Sequence, residues 1–386
     1  MRRVCIATGS RADWGLLSGI AKALNARADV RLQIVATNMH LNPRYGNTYT
    51  EILDAGLQID WRVPIDTDDD TPSGTIEAMS RCMAGMAEAF AALRPDLLVI
   101  LGDRYEMLAT ASAALVMRIP IAHIAGGTVS EGAYDDSIRH AITKMSHIHL
   151  TETEQCRSRV IQMGENPDRV LNVGAIGVYN IVHAQYLTRT KLETSLGMEI
   201  PEKSLMVTLH PATLDAEPPQ EVCRNLLDAL DSHSDYKTIF TYPNNDTAGR
   251  VIIKMIEEYA AKHPARAAVF PSLGLKRYLS ALRCVRAVVG NSSSGIVEVP
   301  SMHIPTLDIG IRQRGREASA SVLHCGTSKQ QISDGLDAVL GNEWQERARI
   351  SSNPYEQPDT LDRIVEAICN TPLEGLTIKR FHNIDA

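Results

Sequence analysis

The sequence of this 386-residue chain lacks several patterns that mark common protein classes. Its seven cysteines include no CxxC pair and are odd in number, which favours reduced thiols over a disulfide framework. No stretch reaches the roughly 20 apolar residues that a membrane-spanning helix needs. Basic residues are scattered and the formal net charge is −7, which disfavours a nucleic-acid partner. We therefore expect a cytoplasmic protein that binds neither nucleic acid nor a membrane.

Sequence motifs for common cofactors are also absent. No GxGxxG follows the first predicted strand, which disfavours a nicotinamide dehydrogenase, and the P-loop pattern is missing as well. The histidines show neither the HExxH spacing nor the pairing with cysteine that is typical of zinc sites. The sequence therefore favours neither a dinucleotide cofactor nor a bound metal.

What the chain does contain is a regular alternation of strand-like and helix-like segments. The predicted strands of the first half are RRVCIATGS, VRLQIVAT, DLLVILGD, PIAHIAGG and IHLTET. Those of the second half are SLMVTLHP, TIFTYP, AAVFPS and AVVGNS. Such alternation predicts two doubly wound α/β domains of the Rossmann type, which face each other across a cleft at the carboxyl ends of their strands.

The pause in this alternation sets the expected domain boundaries. We place an N-terminal domain at residues 1–174 and a C-terminal domain at residues 175–360. Residues 361–386 form a final helix and tail that either half could accommodate, and we expect it to pack back on the N-terminal domain.

One strand end in the second half combines features that suit a diphosphate. GNSSSG offers backbone N–H groups at a helix start, glycines that permit close approach, and the hydroxyls of Ser292, Ser293 and Ser294. Glu298 follows Ser294 by four residues, so on a helix both would share one face and the acid could bind a vicinal diol such as ribose. A capped helix is an equally good interpretation of the serines. Arg316 lies in the loop GIRQRGRE, which is either a phosphate-binding loop or an exposed basic one.

The first half presents acids at its predicted strand ends. Asp103 and Arg104 follow DLLVIL, which places an acid and a guanidinium at one strand end and favours a functional role. Glu131 and Asp135 follow PIAHI, although Asp135 is also well placed to cap the next helix. Among the histidines, His210 has the most functional position, at a strand end directly before a proline.

Together these motifs resemble those of the hydrolysing UDP-N-acetylglucosamine 2-epimerases that begin bacterial sialic acid synthesis. The segments that carry the resemblance are GSRADWGLL, YGNTY, LGDRYEML, DDSIRHAITKMSH, LHPAT, GNSSSG and RQRGRE. The superfamily also includes enzymes that act on a 2,4-diacetamido sugar nucleotide for legionaminic acid, and non-hydrolysing 2-epimerases. The resemblance implies the two-domain arrangement of glycosyltransferase type B.

The resemblance also implies roles for individual residues, with the nucleotide assigned to the second half. The diphosphate and ribose positions match Ser292, Ser293, Glu298 and Arg316. The uracil and cleft-lining positions match Phe270, Ser272, Asn244 and His210. In the first half, the positions near the sugar phosphate match Arg11 and Arg104, and the catalytic acids match Asp103 and Asp135, with His210 as a further catalytic candidate. Relatives commonly carry an acid in or just after HxxGG, where this chain has HIAGGT; Glu131 is expected to take that role unless Asp135 suffices.

The implied reaction removes the C2 proton of the sugar and expels UDP from C1, which gives a glycal. Water then adds at C1 and C2 is reprotonated from the other face, so that N-acetylmannosamine and UDP are released without a metal or another cofactor. Members of this family usually form dimers, so we expect a homodimer or a dimer of dimers. Three alternatives stay open: the same reaction on nucleotide-linked N,N'-diacetylbacillosamine, a glycosyltransferase of the same fold, and a catalytically silent sugar-nucleotide sensor.

Overall fold

The computed structural model describes residues 1–65, 69, 71–131, 133–212, 217–243 and 249–384. The chain divides into two compact units. Unit 1 comprises Met1–Thr128, Asp135–Asn180 and Gln357–Ala386, and unit 2 comprises Val129–Tyr134 and Ile181–Glu356.

These divisions differ from the boundaries expected after residues 174 and 360. Residues 175–180 stay with unit 1 because Ile176 and Tyr179 pack in the same apolar cluster as the first sheet. The chain returns to unit 1 at Gln357, whose side chain lies against Gly174. The segment Val129–Tyr134 belongs to unit 2, which the alternation of strands and helices gave no reason to expect.

In the described part of unit 1, seven parallel strands form one sheet in the order β3-β2-β1-β4-β5-β6-β7. The strands are β1 Arg2–Thr8, β2 Val30–Thr37, β3 Trp61–Val63, β4 Leu97–Leu101, β5 Ile121–Ile124, β6 Ile148–Thr151 and β7 Val170–Asn172. The α-helices are α1 Arg11–Asn25, α2 Thr50–Asp54, α3 Pro72–Leu93, α4 Tyr105–Val116, α5 Asp135–Met145, α6 Glu154–Gln162, α7 Ile176–Val182, which continues into unit 2, and the late helix α15 Thr360–Asn370. Short 3₁₀ turns occupy Asn38–Leu41, Pro43–Tyr45 and Pro167–Arg169.

Separate apolar clusters cover the two faces of this sheet. On one face α1 and α15 pack together, with Leu17 and Ile368 fully buried. On the other face α3 and α4 pack together, and Met86 of α3 lies in the core. Burial on both faces explains why the strands are continuous apolar runs rather than alternating ones.

Unit 2 repeats this design with six described strands in the order β10-β9-β8-β11-β12-β13, all parallel. They are β8 Ser204–Thr208, β9 Lys237–Thr241, β10 Ala267–Phe270, β11 Ala287–Gly290, β12 Thr306–Ile309 and β13 Val322–Cys325. The helices are α8 Arg189–Leu196, α9 Pro219–Asp231, α10 Gly249–Lys262, α11 Gly274–Leu282, α12 Ser293–Val297, α13 Lys329–Leu340 and α14 Asn342–Ile350, with a 3₁₀ turn at Val299–Met302. Two doubly wound α/β units are therefore confirmed.

The strand order reverses at one place in each sheet. In unit 1 the reversal lies between β1 and β4, and in unit 2 between β8 and β11. Open parallel sheets bind ligands at the carboxyl ends of the strands beside such a reversal. None of the helices in the described part of the chain is both long and apolar enough to cross a membrane.

Candidate active site

The turn after β4 presents the first candidate acid. Gly102 adopts φ +75, a conformation that favours glycine, and brings Asp103 to the carboxyl end of the strand. Arg139 of α5, only 2 % exposed, forms an ion pair with Asp103 and donates to the carbonyl of Thr128 at 2.7 Å. Asp136 lies 3.6 Å from the same guanidinium. The carboxylate of Asp103 is thus fixed in orientation while its side chain remains 23 % exposed.

His123 of β5 is hydrogen-bonded to the backbone of this turn. Its Nε2 lies 2.7 Å from the carbonyl oxygen of Gly102, so Nε2 must carry a proton to donate. Its Nδ1 lies 3.2 Å from the hydroxyl of Thr143. Burial lowers the pKa of His123 to about 3, which makes the ring neutral near pH 7. His123 is therefore a structural donor for the turn that carries Asp103.

Arg104, predicted to contact the sugar phosphate, is buried and ion-paired with Glu106 at 2.8 Å. Asp13 lies in the same environment and accepts the backbone N–H groups of Gly9 and Ser10 at 3.2 and 3.0 Å. Burial raises the pKa of Asp13 to about 6; the charge of Arg104 opposes this shift and that of Glu106 adds to it. The positive charge of Arg104 thus offsets the negative charge of the buried acids Glu106 and Asp13. Arg11, half-buried, begins α1 after the carboxyl end of β1.

The structure assigns the two other predicted acids to different units. Asp135 begins α5 in unit 1, where it contributes negative charge to the first turn. Glu131 is exposed and belongs to unit 2, where its N–H donates to the carbonyl of Arg314 at 3.4 Å. A side chain at Gly315, which has φ +83, would meet the carboxylate of Glu131. The carboxylate of Glu131 therefore lies against the loop GIRQRGRE of unit 2, residues 310–317, which we call the arginine-rich loop.

Thr128 occupies the place in HIAGGT where relatives commonly carry an acid. Its side chain is buried, and the hydroxyl donates to Oε2 of Glu152 at 3.3 Å. Glu152 directly follows β6, so its carboxylate lies on the same strand-end edge as Asp103. The sequence interpretation did not single out Glu152.

In unit 2, the turn after β11 brings two predicted segments together. Gly290 has φ +133, and a side chain there would overlap the carbonyl oxygen of Thr208 on β8. The side chain of Asn291 accepts the N–H of His210 at 2.7 Å and donates to its carbonyl at 2.9 Å. The amide thereby fixes the backbone of His210, whose side chain is buried, beside the GNSSSG turn.

The serines of GNSSSG do not act as a side-chain cap. Ser292 is the N-cap residue of α12, yet its hydroxyl makes no capping hydrogen bond. Ser294 is hydrogen-bonded to the hydroxyl of Tyr278 at 2.8 Å and to the carboxylate of Glu298. Burial raises the pKa of Glu298, whereas the hydrogen bond from Ser294 and the charge of Arg316 act in the opposite direction. The predicted shared face of Ser294 and Glu298 is thus present.

The arginine-rich loop folds back onto the same turn. Arg312 and Gln313 both donate to the carbonyl of Asn291, at 3.0 and 2.8 Å. Arg316 donates from Nε to the carbonyl of Val129 at 3.1 Å and from Nη2 to the hydroxyl of Ser130 at 3.1 Å. These bonds hold the segment Val129–Tyr134 within unit 2 and place cationic groups beside GNSSSG.

The remaining predicted nucleotide contacts lie at the end of β10. Phe270 closes this edge strand, and its carbonyl accepts the N–H of Tyr242 at 3.3 Å. The hydroxyl of Ser272 accepts the N–H of Gly274 at 2.8 Å, at the start of α11. Asn244 lies outside the described residues.

A cavity of about 1060 Å³ opens at the carboxyl ends of β12 and β13 in unit 2. Arg314, Arg316 and His324 contribute to its wall. Nδ1 of His324 lies 2.8 Å from the buried carboxylate of Asp308, and this partner raises the pKa of the imidazole. The described residues include no group of three or more side chains suited to hold a metal ion.

The sequence model of the family described as UDP-N-acetylglucosamine 2-epimerase matches residues 22–369. The chain belongs to this family. A relative named GDP/UDP-N,N'-diacetylbacillosamine 2-epimerase (hydrolyzing), from Campylobacter jejuni, is 38% identical over 83% of this chain and 84% of its own. A second relative, named UDP-N,N'-diacetylbacillosamine 2-epimerase (hydrolyzing), from Legionella pneumophila, is 32% identical over 98% of this chain and 99% of the relative's length. The family predicted from the motifs is therefore confirmed.

Solved structures of the 2-epimerase family share the fold. The crystal structure of UDP-GlcNAc 2-epimerase from Neisseria meningitidis bound to UDP-GlcNAc has a TM-score of 0.78, with 14% identity over 96% of this chain and 100% of that chain. The predicted glycosyltransferase type B class is thereby confirmed at the level of fold.

Several residues of this 2-epimerase family member that organise the strand ends were not identified from the sequence. Arg139 and His123 orient Asp103, and Asn291 and Gln313 organise the turn beside His210. A signal for Arg139 exists, because a lone arginine three residues before buried Ile142 on α5 implies a buried acceptor. Asn291 and Gln313 gave no comparable signal, since both act through backbone groups distant in sequence.

Proposed function

We propose that this protein hydrolyses a UDP-linked 2-acetamido sugar with inversion at C2, releasing UDP and the free 2-epimeric sugar. The observation that carries the proposal is the family match across residues 22–369, which spans both units. The oriented acid after β4 and the donor-rich turn after β11 supply the two kinds of group that this reaction needs.

In the first step, a base removes the C2 proton while the C1–O bond to the diphosphate breaks, and a glycal forms. The C2 proton is weakly acidic, so base and leaving-group stabilisation must act together. We assign the base to Asp103, because Arg139 holds its carboxylate in one orientation at a strand end. Ser292, Ser293 and Arg316 are assigned to the diphosphate as hydroxyl, backbone and guanidinium donors.

In the second step, water adds its hydroxyl at C1 and a proton is delivered to the opposite face of C2. Asp135 and Glu131 are the candidates for this delivery, with His210 as a further proton-transfer group. Glu298 is assigned to the ribose and Phe270 and Ser272 to the uracil. Asn244 is assigned to the cleft lining, and Arg11 and Arg104 to the sugar phosphate. Unit 1 would thus handle the sugar and unit 2 the nucleotide, in a cytoplasmic homodimer or dimer of dimers that serves sialic acid or related nonulosonic acid synthesis.

Two sugars are candidates for the substrate. The sequence interpretation placed UDP-N-acetylglucosamine first. The names of the Campylobacter and Legionella relatives, at 38% and 32% identity, support the 2,4-diacetamido sugar nucleotide as the second candidate. Family membership favours both over a glycosyltransferase, which would leave the C2 proton in place.

The test is incubation with each sugar nucleotide in deuterated water, followed by identification of the released sugar. We expect free sugar with deuterium at C2 and one equivalent of UDP, and the larger kcat/KM identifies the substrate. Sugar transfer with protium retained at C2 would support a glycosyltransferase. UDP binding without release of sugar from either nucleotide would support a silent sensor and refute the proposal.

A further inference from the structure

A second cavity lies in unit 1 at the amino ends of β5 and β6, at the opposite edge of the sheet from Asp103. Its volume is about 220 Å³. One wall comes from the chain around β6 and α6, through His147, Glu165, Asn166 and Arg169. The other wall comes from the chain after α15, through Glu374, Gly375, Leu376, Ile378, Lys379 and Arg380.

Direct contacts fix the second wall in place. Nζ of Lys379 donates to the carbonyls of Lys144 and Ser146 at 2.8 and 2.6 Å and to Glu165 at 2.8 Å. The ring of Phe381 packs on Gly164, where φ is +86 and a side chain would overlap the ring. The cavity is therefore built by specific packing of the chain end.

Glu165 is the one buried acid in the cavity wall, and its charge is already compensated. Its side chain is 2 % exposed and lies 2.6 Å from Lys144, 2.9 Å from His149 and 2.7 Å from Lys379. Burial alone would raise the pKa of Glu165, but the bonds to His149, Lys144 and Lys379 lower it to about 2. Three donors thus satisfy this carboxylate, which leaves little negative charge to act on the cavity.

His147 contributes a ring N–H donor to the wall of the cavity. The residue is 4 % exposed, and its Nδ1 accepts the N–H of Ile121 at 3.1 Å, so the remaining ring proton is on Nε2. Burial and the charge of Lys379 lower the pKa of His147 to about 4, which keeps the ring neutral. Within the described residues Nε2 has no hydrogen-bond acceptor, although the ring lines the cavity. Nε2 is not among the buried polar atoms that lack a partner in the described part of the chain, so it is accessible and can donate to a ligand in the cavity.

Two guanidinium groups accompany this donor. The side chains of Arg169 and Arg380 both line the cavity, and neither makes an ion pair or hydrogen bond with another described residue. Glu374, the other acid in the wall, is exposed, as is Arg380, whereas Arg169 is half-buried. The donors and positive charge available to a ligand therefore exceed the available acceptors.

We propose that this cavity binds a small oxyanion of the phosphate class, with Arg169, Arg380 and Nε2 of His147 as donors. Guanidinium groups match phosphate oxygens well, and a tetrahedral anion offers enough acceptors for donors from several directions. The ligand is inorganic phosphate or the phosphate group of a small ester. The inference does not depend on the proposed enzymatic function, because the cavity lies at the other end of the strands.

The test measures hydrogen–deuterium exchange of the segment 371–384 in the full-length protein without added nucleotide, because a nucleotide also carries phosphate groups of the class that the cavity is proposed to bind. Orthophosphate, glycerol 3-phosphate and acetate are each added at equal ionic strength against chloride. We expect a phosphate probe to slow exchange in this segment. Stronger protection by orthophosphate would identify the ligand as free phosphate, and stronger protection by glycerol 3-phosphate would identify it as a phosphate ester. We expect the double variant Arg169→Gln/Arg380→Gln to weaken that effect at least tenfold, and Arg31→Gln, which removes an exposed charge elsewhere in unit 1, to leave it unchanged.

Three results would overturn the proposal: no protection by either phosphate probe, equal protection by acetate, or equal protection in the double variant. His147→Phe, which removes the Nε2 donor and keeps a ring, gives a second check and should weaken phosphate binding while turnover stays unchanged. If the wild-type protein shows no turnover of either sugar nucleotide, the proposed function is refuted but the cavity proposal is not, because the exchange measurement is local to this cavity.

Discussion

Replacing Asp103 with asparagine separates the chemical role of this residue from its structural one. Asparagine keeps the size of the side chain and an oxygen that can accept from Arg139, but it cannot take up a proton. The geometry of the turn after Gly102, which His123 supports at 2.7 Å, is expected to survive. The change therefore removes the proposed base while the strand end stays in place.

The structure sets the expected magnitudes. Loss of a positioned general base costs roughly 10²–10⁴ in turnover. Removing the charge also weakens the ion pair with Arg139, which is 2 % exposed, and breaking a fully buried pair costs about 3–5 kcal/mol. Because Asp103 is 23 % exposed and Asp136 remains 3.6 Å from the guanidinium, we expect a smaller loss of about 1–2 kcal/mol in the free energy of unfolding. UDP affinity should change less than about threefold, since the nucleotide is assigned to unit 2.

The assay combines release of free sugar, calorimetric binding of UDP and urea denaturation. Asp136→Asn is the matched control, because it perturbs the same guanidinium through a residue with no proposed role in the chemistry. We expect the control to retain turnover within about threefold. Wild-type turnover in Asp103→Asn would refute the assignment of the base, and equal losses in both variants would show that the effect is structural.

Two further predictions concern other carboxylates. Glu131→Gln should lower turnover at least tenfold and leave UDP binding largely intact; unchanged release of sugar would remove Glu131 from the reaction. Asp13→Asn tests the buried acids: since burial raises the pKa of Asp13 to about 6, the folded protein retains a proton that the unfolded chain releases, and stability falls as the pH rises from about 4 to 6. The variant should reduce this fall by about 2 kcal/mol in urea denaturation; an unchanged slope would contradict the shift.

The sequence was sufficient to predict the two sheets because their strands are buried on both faces. The runs VCIA and LLVIL are apolar throughout, and the structure places both in the middle of the first sheet. The position of the last helix was harder to predict. The apolar face of α15 packs against α1, and an amphipathic pattern indicates that a helix is covered without indicating by what.

The contacts that organise the strand ends were out of reach for a different reason. Asp103 and Arg139 are 36 residues apart, and Asn291 and His210 are 81 residues apart. Periodicity reports only on neighbours within a few turns of chain, so it finds the segments and leaves their pairing undetermined. The sequence also could not distinguish a capped helix from a phosphate-binding turn at GNSSSG, because the answer depends on the partners of two hydroxyls. The hydroxyl of Ser292 makes no capping bond, and that of Ser294 is hydrogen-bonded to Tyr278 and Glu298.

In the proposed reaction, the two units use the same sheet topology for different parts of the chemistry. β4 and β11 each lie beside the reversal of strand order in their sheet, and a glycine with positive φ, Gly102 or Gly290, ends the strand in both cases. After Gly102 the next residue is an acid, Asp103, held by a buried arginine; after Gly290 come an amide and serines whose donors surround a short helix start. Since a glycine with positive φ ends both strands, we infer that the residues directly after each glycine decide whether the strand end suits proton transfer or an anionic leaving group. A search for function in doubly wound chains should therefore compare these two positions first.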